Sequence, residues 1–224
     1  MSNVLFNNAL NRVPQKTPPI WFMRQAGRYH SHYQNLKEDY SFEELCKNPE
    51  LAAQTALGPI NDFDFDVSIL FSDILFPLEA LGMDLKYNPG PIFGKFINNS
   101  NYDELKTAEE AVFDLTFQSE ALKITREILP KNKSLIGFVG GPWTVASYGP
   151  GMNKGVNHKG NFKNDFIFKL LTKKIIPLLK RNIELQISSG AEIVMIFDTD
   201  ASRIENKKDF YDYSNLVYEL SLIH

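Results

Sequence analysis

Three short apolar runs constrain the fold of this chain more than any other feature of its sequence. They are Val67–Phe71, Leu135–Val139 and Ile193–Phe197, each rich in β-branched or aromatic residues and without alternating polar positions. This pattern is typical of parallel strands that are covered on both faces. A fourth and weaker strand candidate, Ile20–Met23, follows two prolines.

Helical patterns separate these apolar runs. Apolar residues recur at helical spacing over several turns in residues 107–129 and 162–187. Ser41 followed by Glu44 is typical of a capping box, and Asn48-Pro49 favours an N-cap followed by the first helical position. Alternation of strands and helices on this scale predicts a parallel α/β fold.

The final apolar stripe, between Phe210 and Leu220, predicts a helix shortly before the chain stops at His224. A (β/α)₈ barrel typically takes about 250 residues or more, and the patterns above account for only half of one. The chain is therefore either a small doubly wound domain that ends in a helix or a barrel that stops before it is finished. The motifs below favour the second interpretation, with a single domain over residues 1–224.

Composition excludes several classes of protein. Of the 224 residues, 43% are hydrophobic and 23% charged, and the net charge is -3 with basic residues spread along the chain, so no nucleic-acid partner is expected. Cys46 is the only cysteine, which excludes an internal disulfide and a thiolate-rich metal site and favours a cytoplasmic setting. No apolar run approaches the ~20 residues of a spanning helix, so no membrane association is expected either.

Two arginines lie close together just after the weaker strand candidate Ile20–Met23. Arg24 and Arg28 flank Gly27 in a chain where lysine is otherwise the commoner basic residue. A guanidinium presents a rigid fork of donors that suits carboxylates or phosphates, so the pair is a candidate site for an anionic ligand. Two surface arginines in a loop would have the same spacing. His30 and His32 follow in a polar stretch, where a solvated loop is expected.

An aspartate stands at the predicted carboxyl end of the first strand, within Phe71–Leu75. In a barrel, this end of the strands is the functional face. A carboxylate among apolar neighbours is costly unless cations or hydrogen-bond donors meet it. Asp73 is therefore a candidate functional residue, and the alternative is that it caps the helix that follows.

Two further strand ends carry glycines or polar residues. Gly140 and Gly141 precede a predicted helix, where backbone N–H groups could approach an anionic ligand, although a tight turn would need the same glycines. Asp198 and Asp200 follow the third strand, but a carboxylate pair with no nearby histidine is weak support for a metal, and none is expected. His158 lies in a Gly/Asn/Lys-rich segment that is predicted to be a loop.

Taken in order, four segments resemble the uroporphyrinogen decarboxylase family: residues 19–29, 69–75, 137–148 and 190–199. The most specific is Met23–Tyr29, which is followed here by His30-Ser31 where family members commonly have Leu-Pro. The resemblance covers essentially the whole chain. It implies a (β/α)₈ TIM barrel, incomplete here because the C-terminal strands are missing, which usually forms a homodimer at full length.

The resemblance also implies an activity and a site. The family decarboxylates the four acetate side chains of uroporphyrinogen III to methyl groups, giving coproporphyrinogen III in heme biosynthesis, without a metal or organic cofactor. By motif, Arg24 and Arg28 should hold substrate carboxylates, and Asp73 should be catalytic and bind the pyrrole N–H groups. Tyr148 and Thr199 fall where the family has polar pocket residues. The chain by itself is expected to be inactive, because unpaired sheet edges and open core faces favour aggregation.

Two alternatives remain. A zinc-dependent corrinoid methyltransferase of the same superfamily would need histidine and cysteine ligands late in the chain and has no reason for the arginine pair. A non-catalytic tetrapyrrole-binding protein would be derived from the enzyme. The presence of Asp73 together with Arg24 and Arg28 weighs against this second alternative.

Overall fold

The computed structural model describes residues 3–152 and 164–221, so His158 and the end of the chain at His224 lie outside the described residues. The α-helices are α1 (Val4–Leu10), α2 (Ser31–Asp39), α3 (Phe42–Lys47), α4 (Pro49–Phe63), α5 (Phe76–Ala80), α6 (Ala108–Ala111), α7 (Thr116–Ile128), α8 (Pro142–Tyr148), α9 (Asp165–Leu170), α10 (Ile176–Ser188) and α11 (Lys207–Ser221). The strands are β1 (Val67–Ile69), β2 (Leu85–Tyr87), β3 (Pro91–Phe93), β4 (Ser134–Gly140) and β5 (Ile193–Phe197). Short 3₁₀ turns occupy Tyr102–Glu104, Val112–Leu115 and Thr199–Arg203, and a π-helical turn occupies Leu171–Ile175.

The three apolar runs form one sheet in the order β1-β4-β5. β1 and β4 are parallel, with Val67 opposite Ser134 and Ile69 opposite Ile136. β4 is buried along nearly its whole length, as its unbroken apolar pattern predicts. The predicted α/β class with parallel strands is thereby confirmed, although β1 ends at Ile69 and is shorter than its apolar run.

The fourth strand candidate, at Ile20–Met23, is wrong. Ile20 bonds to a single residue, donating its N–H to the Asp66 carboxylate at 2.7 Å and accepting from the Asp66 backbone N–H at 3.0 Å. Pro18 and Pro19, just before it, have no N–H with which to extend a ladder of strand hydrogen bonds.

The two predicted helix starts at Ser41 and Asn48 are confirmed, whereas the two long helical patterns are each interrupted. Ser41 forms the expected capping box with Glu44, and Asn48 caps α4. The pattern over residues 107–129, however, contains the 3₁₀ turn that separates α6 from α7. In the described part of residues 162–187, the π-helical turn precedes Pro177, which has no N–H to close an α-helical hydrogen bond.

A short antiparallel hairpin was not predicted. β2 and β3 pair with Leu85 opposite Phe93 and Tyr87 opposite Pro91. Strands of three residues are too short for alternation to be visible in the sequence. The one local signal is the turn-forming tripeptide Asn88-Pro89-Gly90.

The described residues divide into two compact units. The first comprises residues 3–73, 117–138 and 186–195, and the second comprises residues 74–116, 139–152, 164–185 and 196–221. The core of the first unit includes Leu70, Leu122, Leu129 and Leu135. The largest buried side chains of the second include Phe76, Trp143, Leu171 and Tyr213. That the chain forms a single domain stays a prediction. Among the described helices, none is long and apolar enough to cross a membrane.

Candidate functional site

The arginine loop of the first unit, residues 20–30, is fixed to β1 by one buried amide. Gln25 is 1% exposed, whereas Arg24 and Arg28 are both exposed. The Gln25 side chain donates to the carbonyl of Val67 at 3.0 Å, and the Tyr29 hydroxyl donates to the Gln25 carbonyl at 2.6 Å. Gln25 therefore anchors the loop while the two arginines remain accessible to a ligand.

The backbone of this loop makes a tight turn. Arg24 has a φ of 60°, in the left-handed region that costs a non-glycine residue about 1 kcal/mol. A Cβ on Gly27 would lie 3.0 Å from the Arg24 carbonyl oxygen. The turn closes where the His30 N–H donates to the Gly27 carbonyl at 2.9 Å. The close approach explains why glycine stands between the two arginines.

His30 does not lie in a solvated loop, and that prediction was wrong. It is 3% exposed, and its Nε2 lies 2.7 Å from the Asp62 carboxylate on α4. Its ring also packs against Phe63, with the ring centroids 5.1 Å apart. The sequence showed only a polar stretch, because its aspartate partner lies 32 residues away along the chain.

Asp73 follows β1 and is half-buried. Helix α5 has Leu75 as its N-cap and no side-chain cap, so Asp73 does not take the capping role that was its alternative. The thiol of Cys46 on α3 has a pKa raised well above its usual value, first by burial and then by the negative charge of Asp73. The Asp73 carboxylate therefore lies within electrostatic reach of Cys46.

Arg28 interacts electrostatically with Tyr33 on α2, which also interacts with Cys46. Burial raises the pKa of the Tyr33 phenol, Cys46 raises it further, and the positive charge of Arg28 lowers it. The Tyr33 ring also packs against Phe71, with the ring centroids 5.6 Å apart. Within the first unit, Arg28 thus acts on Tyr33, Asp73 acts on Cys46, and the negative charge of a Cys46 thiolate acts on Tyr33. Tyr33 was not predicted from the sequence, where its only signal is an aromatic residue in an otherwise polar helix.

The raised pKa of Cys46 makes a prediction about its reactivity. The thiolate is the reacting form, and each pKa unit lowers its fraction about tenfold. In the native protein at pH 8, we expect a thiol-specific reagent to label Cys46 at least about tenfold more slowly than in the unfolded chain. A disulfide reagent that releases a coloured thiolate allows the reaction to be followed by absorbance. Because Cys46 is the only cysteine, this absorbance reports on Cys46 alone. Equal rates in water and in denaturant would contradict its burial.

In the second unit, Tyr148 and Thr199 occupy the ends of two elements. Tyr148 is the last residue of α8 and is half-buried, with its ring centroid 6.3 Å from that of Phe93 on β3. Thr199 begins the 3₁₀ turn after β5 and is exposed. The Gly141 N–H donates to the Phe197 carbonyl at 2.7 Å, so this group has a partner within the protein. That N–H groups of this segment approach an anionic ligand stays a prediction.

The side-chain carboxylates of the two aspartates after β5 have separate partners. The Asp198 carboxylate accepts hydrogen bonds from Thr144 and from the Tyr213 hydroxyl, whereas Asp200 accepts one from the Ser147 hydroxyl. They do not converge on a common point. Within residues 3–152 and 164–221, no group of three or more His, Cys, Asp or Glu side chains could hold a metal ion.

The fold defines the chain as an α/β protein in which charged and polar side chains follow the strand ends. It is shared with a methyltransferase from Methanosarcina mazei, with a TM-score of 0.78 and 18% sequence identity. The match covers 98% of this chain and 66% of that one.

The family model for uroporphyrinogen decarboxylase (URO-D) matches residues 1–219, and the chain belongs to this family. The uroporphyrinogen decarboxylase of Campylobacter jejuni is 39% identical over 227 residues, covering 97% of this chain and 66% of that protein. The uroporphyrinogen decarboxylase of Helicobacter hepaticus is 42% identical over 210 residues, covering 90% of this chain and 61% of that protein. The chain thus spans under two thirds of the length of these relatives.

Proposed function

We propose that the protein is a uroporphyrinogen decarboxylase, a carboxy-lyase that converts uroporphyrinogen III to coproporphyrinogen III. The observation that carries this proposal is the match to the family model over residues 1–219. It is supported by the exposed Arg24 and Arg28 on a loop anchored by Gln25 and by the half-buried Asp73 after β1. We also propose that residues 1–224 belong to a single domain with the (β/α)₈ barrel fold. A cytoplasmic homodimer is part of the same proposal.

The proposed chemistry uses a proton as its electrophile. A proton added to the pyrrole ring makes it cationic, and the bond between the acetate methylene and its carboxylate then breaks. Carbon dioxide leaves, and the electron pair passes into the ring. The methylene carbon takes up a proton to become a methyl group, and the ring loses its extra proton. No metal or organic cofactor takes part in this scheme.

Asp73 is the proposed catalytic residue. As an anion that accepts hydrogen bonds from the pyrrole N–H groups, it would stabilise the positive charge that develops on the ring in the transition state. A fixed carboxylate costs no reorganisation at the moment of reaction. Its half-buried position after β1 supports this role, because an electrostatic interaction is stronger where water is partly excluded.

The two arginines are the proposed carboxylate-binding residues. The substrate carries eight carboxylates, which would repel Asp73 unless cations held them in place. Arg24 and Arg28 are exposed on a loop whose backbone is fixed by Gln25, so their charges are accessible while their base is rigid. Tyr148 and Thr199 are proposed as further polar residues that bind the substrate.

Replacing Arg28 by Ala is expected to raise the KM for uroporphyrinogen about 10- to 100-fold, because a hydrogen bond to a charged group contributes about 1.5–3 kcal/mol. The matched control is Arg181→Ala, which removes an exposed arginine that pairs with Glu109. For the control we expect a KM within about twofold of the unchanged protein. An unaltered KM in Arg28→Ala would remove this residue from the site.

The test of the proposed function is an anaerobic assay of the full-length protein that contains residues 1–224, with uroporphyrinogen as substrate. The products are oxidised and separated by their number of carboxylates. Stepwise conversion to the four-carboxylate product supports the proposal. Unchanged substrate from a folded protein would contradict it. Tight binding without turnover would favour the non-catalytic tetrapyrrole-binding protein. Bound zinc would favour the zinc-dependent methyltransferase. The structural similarity to a methyltransferase does not decide this, because at 18% identity it shows only a shared fold. That residues 1–224 by themselves are inactive stays a prediction, which the same assay tests on these residues alone.

A further inference from the structure

The segment that carries Thr199 is bonded to α8 on both of its sides. The Asp198 carboxylate accepts from the Thr144 backbone N–H at 3.0 Å and from the Thr144 hydroxyl at 2.7 Å. The same hydroxyl oxygen accepts from the Asp200 backbone N–H at 3.0 Å. Thr144, which is 3% exposed, therefore connects the residues before and after Thr199.

Tyr213 of α11 holds the second oxygen of Asp198. Its hydroxyl donates to that carboxylate oxygen and accepts from the Trp143 backbone N–H at 2.8 Å. Tyr213 is 2% exposed, and burial, followed by the negative charge of Asp198, raises the pKa of its phenol. The phenol therefore keeps its proton, which stays available to the Asp198 carboxylate.

The Asp198 side chain lies close to the backbone of Gly141. A Cβ on Gly141, the residue before the first turn of α8, would lie 2.1 Å from the Asp198 Cγ. The carboxylate thus occupies the space that any other residue at position 141 would need. This contact explains why glycine stands at position 141.

Thr199 differs from Asp200 in its exposure to solvent. Asp200 is 7% exposed and accepts from the Ser147 hydroxyl, whereas Thr199 is exposed. We propose that Asp198 is a positioning residue that, together with Thr144 and Tyr213, fixes Thr199 to receive the substrate. The inference rests on the proposed function, in which Thr199 binds uroporphyrinogen, and Asp198 acts through Thr199 without touching the substrate.

The kinetic test is a double-mutant cycle on the full-length protein that contains residues 1–224, with uroporphyrinogen as substrate. Thr199→Ala is expected to raise the KM about tenfold, the effect of losing one good hydrogen bond, with kcat changed less than about threefold. Asp198→Ala should do the same. Because Asp198 acts through Thr199, the double variant should have the KM of Thr199→Ala alone. A merely structural role would lower the folded fraction and leave the two effects additive.

A milder variant guards against misfolding. Tyr213→Phe keeps the ring that packs on Trp143 and deletes only the hydroxyl that donates to Asp198. We expect its KM to rise about threefold, and this rise should also vanish when Thr199 is already Ala. Tyr211→Phe is the matched control, since Tyr211 lies on the same helix and is 58% exposed, and its KM should not change.

Amide hydrogen exchange gives a second readout that needs no turnover. In Asp198→Ala, the amides of Thr144 and Asp200 should exchange about tenfold faster or more. The Thr144 N–H loses its acceptor, and the Asp200 N–H donates to a Thr144 hydroxyl that Asp198 no longer holds in place. Unchanged exchange would overturn the proposal, and so would additive KM effects in the cycle. If the unchanged protein leaves uroporphyrinogen intact, the proposed function fails and the positioning role fails with it. In that case, faster exchange would still identify Asp198 as the residue that holds this segment.

Discussion

Replacing Asp73 by Asn is expected to lower the kcat for uroporphyrinogen decarboxylation about 100- to 1,000-fold, the range seen when one preorganised electrostatic group is removed. Asparagine has nearly the same shape but carries no charge, so it would lose the stabilisation of the cationic pyrrole. The interaction strengthens as charge develops, so kcat and kcat/KM should fall together. The measurement is the anaerobic assay, with initial rates over a range of substrate concentrations.

The matched control for this variant is Asp39→Asn, which removes an exposed carboxylate at the end of α2 in the same unit. Its kcat should stay within about twofold, as for other surface changes. A readout without substrate is also available, because the charge of Asp73 contributes to the raised pKa of Cys46. In Asp73→Asn that pKa should fall, and labelling of Cys46 should become faster. Full turnover in Asp73→Asn would refute its catalytic role.

Replacing Trp143 by Ala is expected to reduce the free energy of unfolding by about 3–5 kcal/mol, the usual cost of truncating a buried large aromatic side chain. Trp143 is 2% exposed and packs edge-on against Tyr213, with the ring centroids 6.3 Å apart. The truncation leaves a cavity beside the Asp198 network. For a chain of this size, the change corresponds to a melting temperature lower by about 6 to 20 °C. Thermal unfolding followed by circular dichroism at a fixed scan rate measures it.

The control for Trp143 is Phe113→Ala, which truncates an aromatic side chain that is 71% exposed in the same unit. Its melting temperature should change by no more than about 2 °C, because an exposed ring leaves no cavity. Trp143→Phe should lie between the two, since it keeps part of the buried volume. Equal melting temperatures for Trp143→Ala and Phe113→Ala would show that the second unit does not contribute to the measured transition.

The sequence alone determined those features that depend on neighbours along the chain. The apolar runs gave β1, β4 and β5, because a strand that is covered on both faces excludes polar residues locally. The capping box at Ser41 involves residues only three apart, so it too is visible in the sequence. The segment Met23–Tyr29 likewise indicated the family that the comparisons confirm.

Tertiary structure decided the partners of the buried polar groups. The sequence placed His30 in solvent and left Gln25 without a role, yet both are buried because residues 32 and 42 positions away supply their hydrogen bonds. In the sequence, Asp198 and Asp200 were only a weak candidate for a metal site. In the structure, the Asp198 carboxylate accepts hydrogen bonds from Thr144, which lies 54 positions away along the chain. A buried polar group must find a partner, but local sequence does not record which one the fold will supply.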